Sequence, residues 1–222
     1  MNIKQAKNHL STMRLMGVDF MPCCTIEKPI EKTTNIDLNA LEIEHQSKCL
    51  HCTTATDYNN IVFGFGNPTA NLMFVGEAPG QEEDLQGIPF VGAAGQKLNE
   101  IIAAMKLTRE EVYIANVVKV RPPNNRTPIE KEIQECGKFL KKQITVIKPK
   151  VIVALGSPAA KFLLNTTVGI TKLRGHWSWY KDIPVMPTYH PAYLLRQYTK
   201  QTRKEVWSDV QEVIKKMKQL DK

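Results

Sequence analysis

No apolar run in this 222-residue chain approaches the roughly 18 residues of a membrane-spanning helix, so no membrane partner is expected. The opening stretch, MNIKQAKNHLSTMRLMGVDF, carries basic residues but no continuous apolar segment and no small-residue cleavage site. A secretory leader is therefore not expected, and the cytoplasm is the expected location. Cysteine is scarce and odd in number: Cys23, Cys24, Cys49, Cys52 and Cys136. That count in a cytoplasmic chain argues against a disulfide framework. Acidic residues are in deficit, with 22 Asp and Glu against 30 Lys and Arg, for a formal net charge of +8 and a pI near 9.2. A surplus of that size favours a polyanionic partner, nucleic acid first, although a lysine-coated soluble surface gives the same balance. Repeats and low-complexity tracts are absent.

What is present suits one compact domain with an appendage, since 42% of the residues are hydrophobic. Residues 1–45 read as an N-terminal helical extension and linker: a short helix through Leu10, Met13, Leu15 and Met16, then the polar stretch TIEKPIEKTTN. A second helix, around Leu38 to His45, leads into Cys49-Leu-His-Cys52, whose CxxC spacing lets two thiolates reach one metal or cluster. The main domain is expected over 46–222.

From Asn71 four short apolar runs appear: LMFV (72–75), VYIANVV (112–118), VIVAL (151–155) and PVMPTY (184–189). They barely alternate, as expected of strands buried on both faces. Helical patterns separate them. Leu98, Ile101, Ile102 and Met105 share one face, and Ile129, Ile133, Cys136, Leu140, Ile144 and Ile147 form a long stripe. The second helix is expected to open with Thr127 as N-cap, Pro128 in the first turn and Glu130 closing a capping box. Pro158 starts a further helix through Phe162 and Leu163, and Val206, Val210, Val213 and Met217 line a last one. Alternating strands and helices imply an α/β fold, a parallel sheet covered on both faces, with ligands beyond the carboxyl ends of its strands. The first strand ends there on Gly76-Glu77-Ala78-Pro79-Gly80, where glycines let backbone N–H groups approach a ligand closely. A tight strand-to-helix turn without a ligand is the plainer reading of those residues alone.

Four segments taken together, GEAPGQEED (76–84), GIPFVGAAGQ (87–96), NVVKVRPPNNRTP (116–128) and TYHPAYLLR (188–196), closely resemble the family 4 uracil-DNA glycosylases. The resemblance runs from about Cys49 to the C-terminus. It implies a three-layer α/β/α fold with a four-stranded parallel sheet, and hydrolysis of the N-glycosidic bond of uracil in single- or double-stranded DNA, leaving an abasic site for base excision repair; a monomer is expected.

The same likeness assigns roles. Phe90 matches the family's stacking phenylalanine, against its commoner fate as core packing. Asn116 stands in an apolar strand, and its amide offers both a donor and an acceptor to uracil N3–H and O4; bonding to a neighbouring loop is the alternative. His190, before Pro191, is the expected donor to uracil O2 as negative charge develops there. Further donors are expected from the backbone of Gly76, Ala78 and Gly80. In a related family whose turn reads Gly-Gln-Asp-Pro-Tyr, the aspartate orients the attacking water. Ala78 stands at that position and cannot, so Glu77 is the expected carboxylate, with Asp84 second or merely bracing the loop. Gly80 replaces that family's thymine-blocking tyrosine, so thymine exclusion falls to another residue. Leu194 is expected to fill the gap left in the duplex, with Arg196 on phosphate. Lys119, Arg121, Arg126, Arg174, Lys200 and Arg203 are further phosphate candidates, each also readable as solvated charge.

The family pattern also implies a 4Fe–4S cluster on four cysteines. Cys49, Cys52 and Cys136 match three of them, and Val120 stands at the fourth. Three outcomes follow: a cluster with a substitute ligand such as Cys23, Cys24 or His51, a three-iron cluster, or thiols without metal, Cys136 being a buried thiol on its helix's apolar face. The departure also keeps open a non-catalytic nucleic-acid-binding module of the same fold. A third reading, a relative that attaches covalently to the abasic sugar, calls for a histidine-bearing loop that PPNNRTPIEKE lacks.

Overall fold

Six strands make one sheet in the computed structural model, which describes residues 37–220. They are β1 (Phe65–Gly66), β2 (Leu72–Gly76), β3 (Tyr113–Asn116), β4 (Val151–Leu155), β5 (Ser178–Tyr180) and β6 (Ile183–Thr188), in the order β1-β3-β2-β4-β6-β5. The four expected runs are the parallel strands: β2 pairs with β3 and β4, and β4 with β6. Two short antiparallel edges were not expected. β1 spans two residues, and β5 returns on β6 through a turn in which Lys181 takes positive φ. Neither is long enough to write an apolar pattern.

Nine helices are described: α1 (Leu38–Lys48), α2 (Leu50–Thr54), α3 (Gln81–Gln86), α4 (Ala93–Ala104), α5 (Glu130–Ile147), α6 (Ser157–Leu164), α7 (Ile170–Leu173), α8 (Pro191–Arg196) and α9 (Lys200–Leu220). They sandwich the sheet because successive side chains of each strand enter opposite cores. Met73, Val75, Ala115 and Ile152 meet α1, α2, α5 and α6, while Leu72, Phe74, Ile114 and Val153 meet α4, α8 and α9. Each fully buried Leu or Ile contributes about 1.5–3 kcal/mol, so the two-sided burial of β2 and β4 fixes the middle of the sheet firmly. No helix among the described residues is long and apolar enough to cross a membrane.

The expected start of α5 needs correction. Its N-cap is Ile129, which is 54% exposed and not part of the buried stripe. Glu132, rather than Glu130, reaches back to accept the Ile129 N–H, and it also takes a bidentate pair from Arg126. Thr127 is drawn elsewhere, its hydroxyl bonding to Glu77. The helix expected through Leu10 to Met16, the linker over 25–35, and Cys23 and Cys24 lie outside the described residues. The helix expected near Leu38 is α1; its Leu41 and His45 are fully buried, and it packs on α5.

Candidate active site

The strand order reverses between β2 and β4, which opens a crevice at their carboxyl ends. A cavity of about 660 Å³ lies there, lined among others by Glu77, Phe90, Asn116, Tyr193 and His190. Residues distant in the chain thus share one hollow, since Glu77 follows β2, Asn116 ends β3 and His190 follows β6.

Asn116 is 2% exposed, and its Oδ1 is a buried acceptor with no partner in the protein. It stands against Gly76, where a Cβ would strike both the Asn116 oxygen and the Phe90 ring. Glycine at 76 is therefore what allows amide and ring to stand side by side. An orphaned acceptor at this depth costs about 1–3 kcal/mol, which is tolerable at a site that a ligand completes. The alternative of a loop partner is not met by Oδ1.

Phe90 is 5% exposed and has φ +55°. A phenylalanine in the left-handed region is strained and needs outside support. Arg109 supplies it, donating to the Phe90 carbonyl at 2.9 Å and the Pro89 carbonyl at 2.6 Å. Gly95 completes the fit, since a Cβ there would collide with the Phe90 backbone. The ring lies 5.6 Å from the His190 ring at 33°.

His190 caps α8. Its Nδ1 accepts the Ala192 N–H at 3.1 Å, so the neutral ring carries its proton on Nε2. Burial first, and the Arg196 charge second, hold its pKa down to about 4. Imidazolium would also turn an Nδ1 proton against the Ala192 N–H. The ring is thus a neutral Nε2–H donor at ordinary pH. Upstream, Asp209 accepts from the Thr188 hydroxyl at 2.7 Å and is paired by Arg174, which fixes the strand end feeding His190.

The carboxylates divide by role. Glu77 lines the cavity, and burial raises its pKa against the Thr127 hydrogen bond. Asp84 is 1% exposed and points away, accepting from Asn59 N–H at 2.8 Å and Asn59 Nδ2 at 2.6 Å. Glu83, for which no role was expected, ties two site loops together. Its oxygens accept the N–H groups of Gly80 at 3.1 Å, Val91 at 2.9 Å and Gly92 at 2.8 Å. The Gly80 N–H is therefore committed to Glu83, contrary to the expectation that it would face substrate. Ala78 and Gly80 remain lining residues.

Of the two residues expected to contact DNA, Arg196 lines the cavity, but Leu194 does not fit its expected place. It is 5% exposed and packs in the α4–α8–α9 core, whereas Leu195 is 44% exposed. On the short helix α8 the first leucine faces inward and the second outward. Two phosphate candidates are also corrected. Lys119 is fully buried, donating from Nζ to the Asn116 carbonyl at 2.7 Å and to Gln143 Oε1 at 2.6 Å. Arg174 is occupied by Asp209 and the Glu205 carbonyl. Arg126 stays at the cavity, paired with Glu132.

A second cluster lies in the other core. Cys49, Cys52 and Cys136 are buried with His45, and their ligand atoms all lie within 4.8 Å of one another, a group that could hold a metal. His51 is not in it, and His45 was missed because a lone histidine on a helix carries no signal of its own.

Residues 63–211 match the family model described as the uracil DNA glycosylase superfamily. The chain is 46% identical over 180 residues to a type-4 uracil-DNA glycosylase of Thermotoga maritima, covering 80% of this chain and 94% of the relative. A type-4 uracil-DNA glycosylase of Archaeoglobus fulgidus is 45% identical over 173 residues, covering 74% of this chain and 86% of the relative. One of Sulfurisphaera tokodaii is 44% identical over 179 residues, covering 77% and 80%.

Proposed function

The chain belongs to the uracil DNA glycosylase superfamily, and from that membership we infer that it is a uracil-DNA glycosylase of the type-4 group, hydrolysing the N-glycosidic bond of uracil flipped out of DNA. The observation that carries the site assignment is that Asn116, whose buried Oδ1 has no partner in the protein, lines the same cavity as the neutral His190.

In this reading Asn116 Oδ1 accepts uracil N3–H, and the same amide donates to O4. Cytosine presents the opposite pattern at those two atoms and leaves the amide mismatched. Phe90 stacks on the extruded ring, helping to offset an unstacking cost of a few kcal/mol. As the C1′–N1 bond breaks, its electron pair moves into the uracil ring, and His190 Nε2–H donates to O2 where charge collects. Glu77 orients the water that bonds to C1′ and takes up its proton. Arg196 meets phosphate, and Leu195 rather than Leu194 is the leucine available to the duplex.

Glu77 gives the rate its acid limb. It must be ionised, and burial raises its pKa, so excision should fall as pH drops through a value above the ordinary carboxylate range. Glu77→Gln is expected to lower the rate about 100-fold and to abolish that limb. An unchanged limb in pH–rate profiles of the variant would assign it to another group.

We further propose that the enzyme works as a monomer in the cytoplasm, and that α1 belongs with the glycosylase domain of 46–222, because Leu41 and His45 are fully buried in it. A metal held by the Cys/His group would be structural, because none of its four residues lines the cavity; the family resemblance implies a 4Fe–4S cluster there, whose electron transfer a hydrolysis does not use. The direct test of function is cleavage at abasic sites after incubation with uracil-containing single- and double-stranded oligonucleotides. Cleavage of both, with none in thymine controls, is expected, and intact uracil strands throughout would reject the reading.

A further inference from the structure

The four-cysteine cluster does not fit this chain as it stands. Val120, at the position of the fourth cysteine, is 1% exposed in the same core and offers no lone pair. The count of donors is nevertheless four, because His45 joins the three cysteines. Its Nε2 lies 3.3 Å from Cys52 Sγ and 3.7 Å from Cys136 Sγ. The sulfurs stand 3.4 Å apart for Cys49–Cys52, 3.7 Å for Cys49–Cys136 and 3.2 Å for Cys52–Cys136.

Spacing discriminates between occupants. A four-iron cube places an iron behind each ligand and holds the ligand sulfurs about 6 Å apart. A single tetrahedral ion with metal–sulfur bonds of about 2.3 Å holds them about 3.8 Å apart. The sulfur–sulfur edges, 3.2 to 3.7 Å, lie near the single-ion value and are far too short for the cube, and all four ligand atoms fall within 4.8 Å of one another.

We propose that His45, Cys49, Cys52 and Cys136 form a Cys₃His site for one tetrahedral zinc ion, with His45 replacing the ligand lost at Val120. Local sequence brings the donors together. His45 lies in the last turn of α1, Cys49 at the extended junction and Cys52 in α2, and the three converge with Cys136 of α5. Phe139, edge-on to the His45 ring at 4.8 Å, and Phe63, at 5.6 Å, wall the imidazole in place. The Lys119 N–H donates to Cys136 Sγ at 3.2 Å, the kind of outer contact a metal-bound thiolate accepts. His45 Nδ1 has no protein partner, so the ring is oriented by packing rather than by an outer carboxylate. The same Lys119 contacts the Asn116 carbonyl through Nζ, so the ion would brace the strand end that presents Asn116.

The site stands independently of the glycosylase reading, and its test reads metal rather than activity. The full chain, purified anaerobically, is expected to contain one zinc and no acid-labile sulfide. Cobalt in its place should give the intense visible bands of tetrahedral coordination with sulfur-to-metal charge transfer. His45→Ala should weaken cobalt retention against a chelator more than about 100-fold. His45→Cys should keep binding and strengthen the charge-transfer band, which covers the case in which the alanine variant fails to fold. A chain carrying Cys23→Ser and Cys24→Ser should bind as the parent does. Near four iron and four sulfide per chain, a well-folded chain that takes up no metal, cobalt spectra unchanged by either His45 variant, or lost binding in the double serine variant would each overturn the proposal.

Discussion

Replacing Asn116 by alanine is expected to lower single-turnover uracil excision about 1000-fold while leaving the melting temperature unchanged or higher. The rate loss follows from two hydrogen bonds to the flipped base, each costing about 1–3 kcal/mol when one partner is left unpaired. The stability half follows from the free protein. Asn116 is 2% exposed and its Oδ1 has no partner, so the amide is an unfavourable occupant until uracil arrives. Removing it relieves that cost, and about 1 kcal/mol corresponds to roughly 2–4 °C in a chain of this size. A residue with a purely structural role behaves in the opposite way, losing stability on truncation. Scanning calorimetry beside rapid-quench kinetics separates the two.

His190→Ala is expected to cost about 100- to 1000-fold in the same assay, the range for deleting one preorganised donor at a site of developing negative charge. His190→Gln keeps an N–H within reach and should recover part of the loss. The pH dependence is distinctive. With its pKa held near 4, His190 is neutral from well below pH 6 upward, so wild-type excision should show no inflection near the ordinary histidine value of about 6.5. Stability follows the same sign. Between those two values the unfolded chain binds the proton and the folded chain does not. The histidine's contribution is therefore complete above about pH 6.5 and is lost as pH falls toward 4. A bell-shaped profile with a limb at 6.5 that disappears in His190→Ala would mean that the imidazolium is the working form.

Much of this was legible in the sequence because both core patterns are periodic. The parallel strands are buried on both faces and read as unbroken apolar runs, and Asn116 stood out as the polar residue in one of them. Gly76 was legible as a close-approach position, though not that its missing Cβ makes room for the Phe90 ring and the Asn116 amide at once. The misses share a cause: each depends on a partner distant in the chain. Whether Leu194 or Leu195 faces out depends on what covers a six-residue helix. Lys119 read as a surface cation, yet Asn116 and Gln143 satisfy it at zero exposure. Glu83 looked like one acid among several until three N–H groups from two loops converged on it. His45 joins Cys136, 91 positions away, and nothing near it in the chain announces that contact.

The central claim is that one amide oxygen, Asn116 Oδ1, reads the N3–H of an extruded uracil. The measurement that reaches it most directly is the ratio of excision rates for uracil and 3-methyluracil in otherwise identical oligonucleotides, for wild type and Asn116→Ala. Methylation removes the proton that Oδ1 is placed to accept, so the wild-type ratio should be large and the variant's close to one. Equal ratios in the two proteins would mean that Asn116 does not touch that edge of the base, and the site would have to be rebuilt around a different reader.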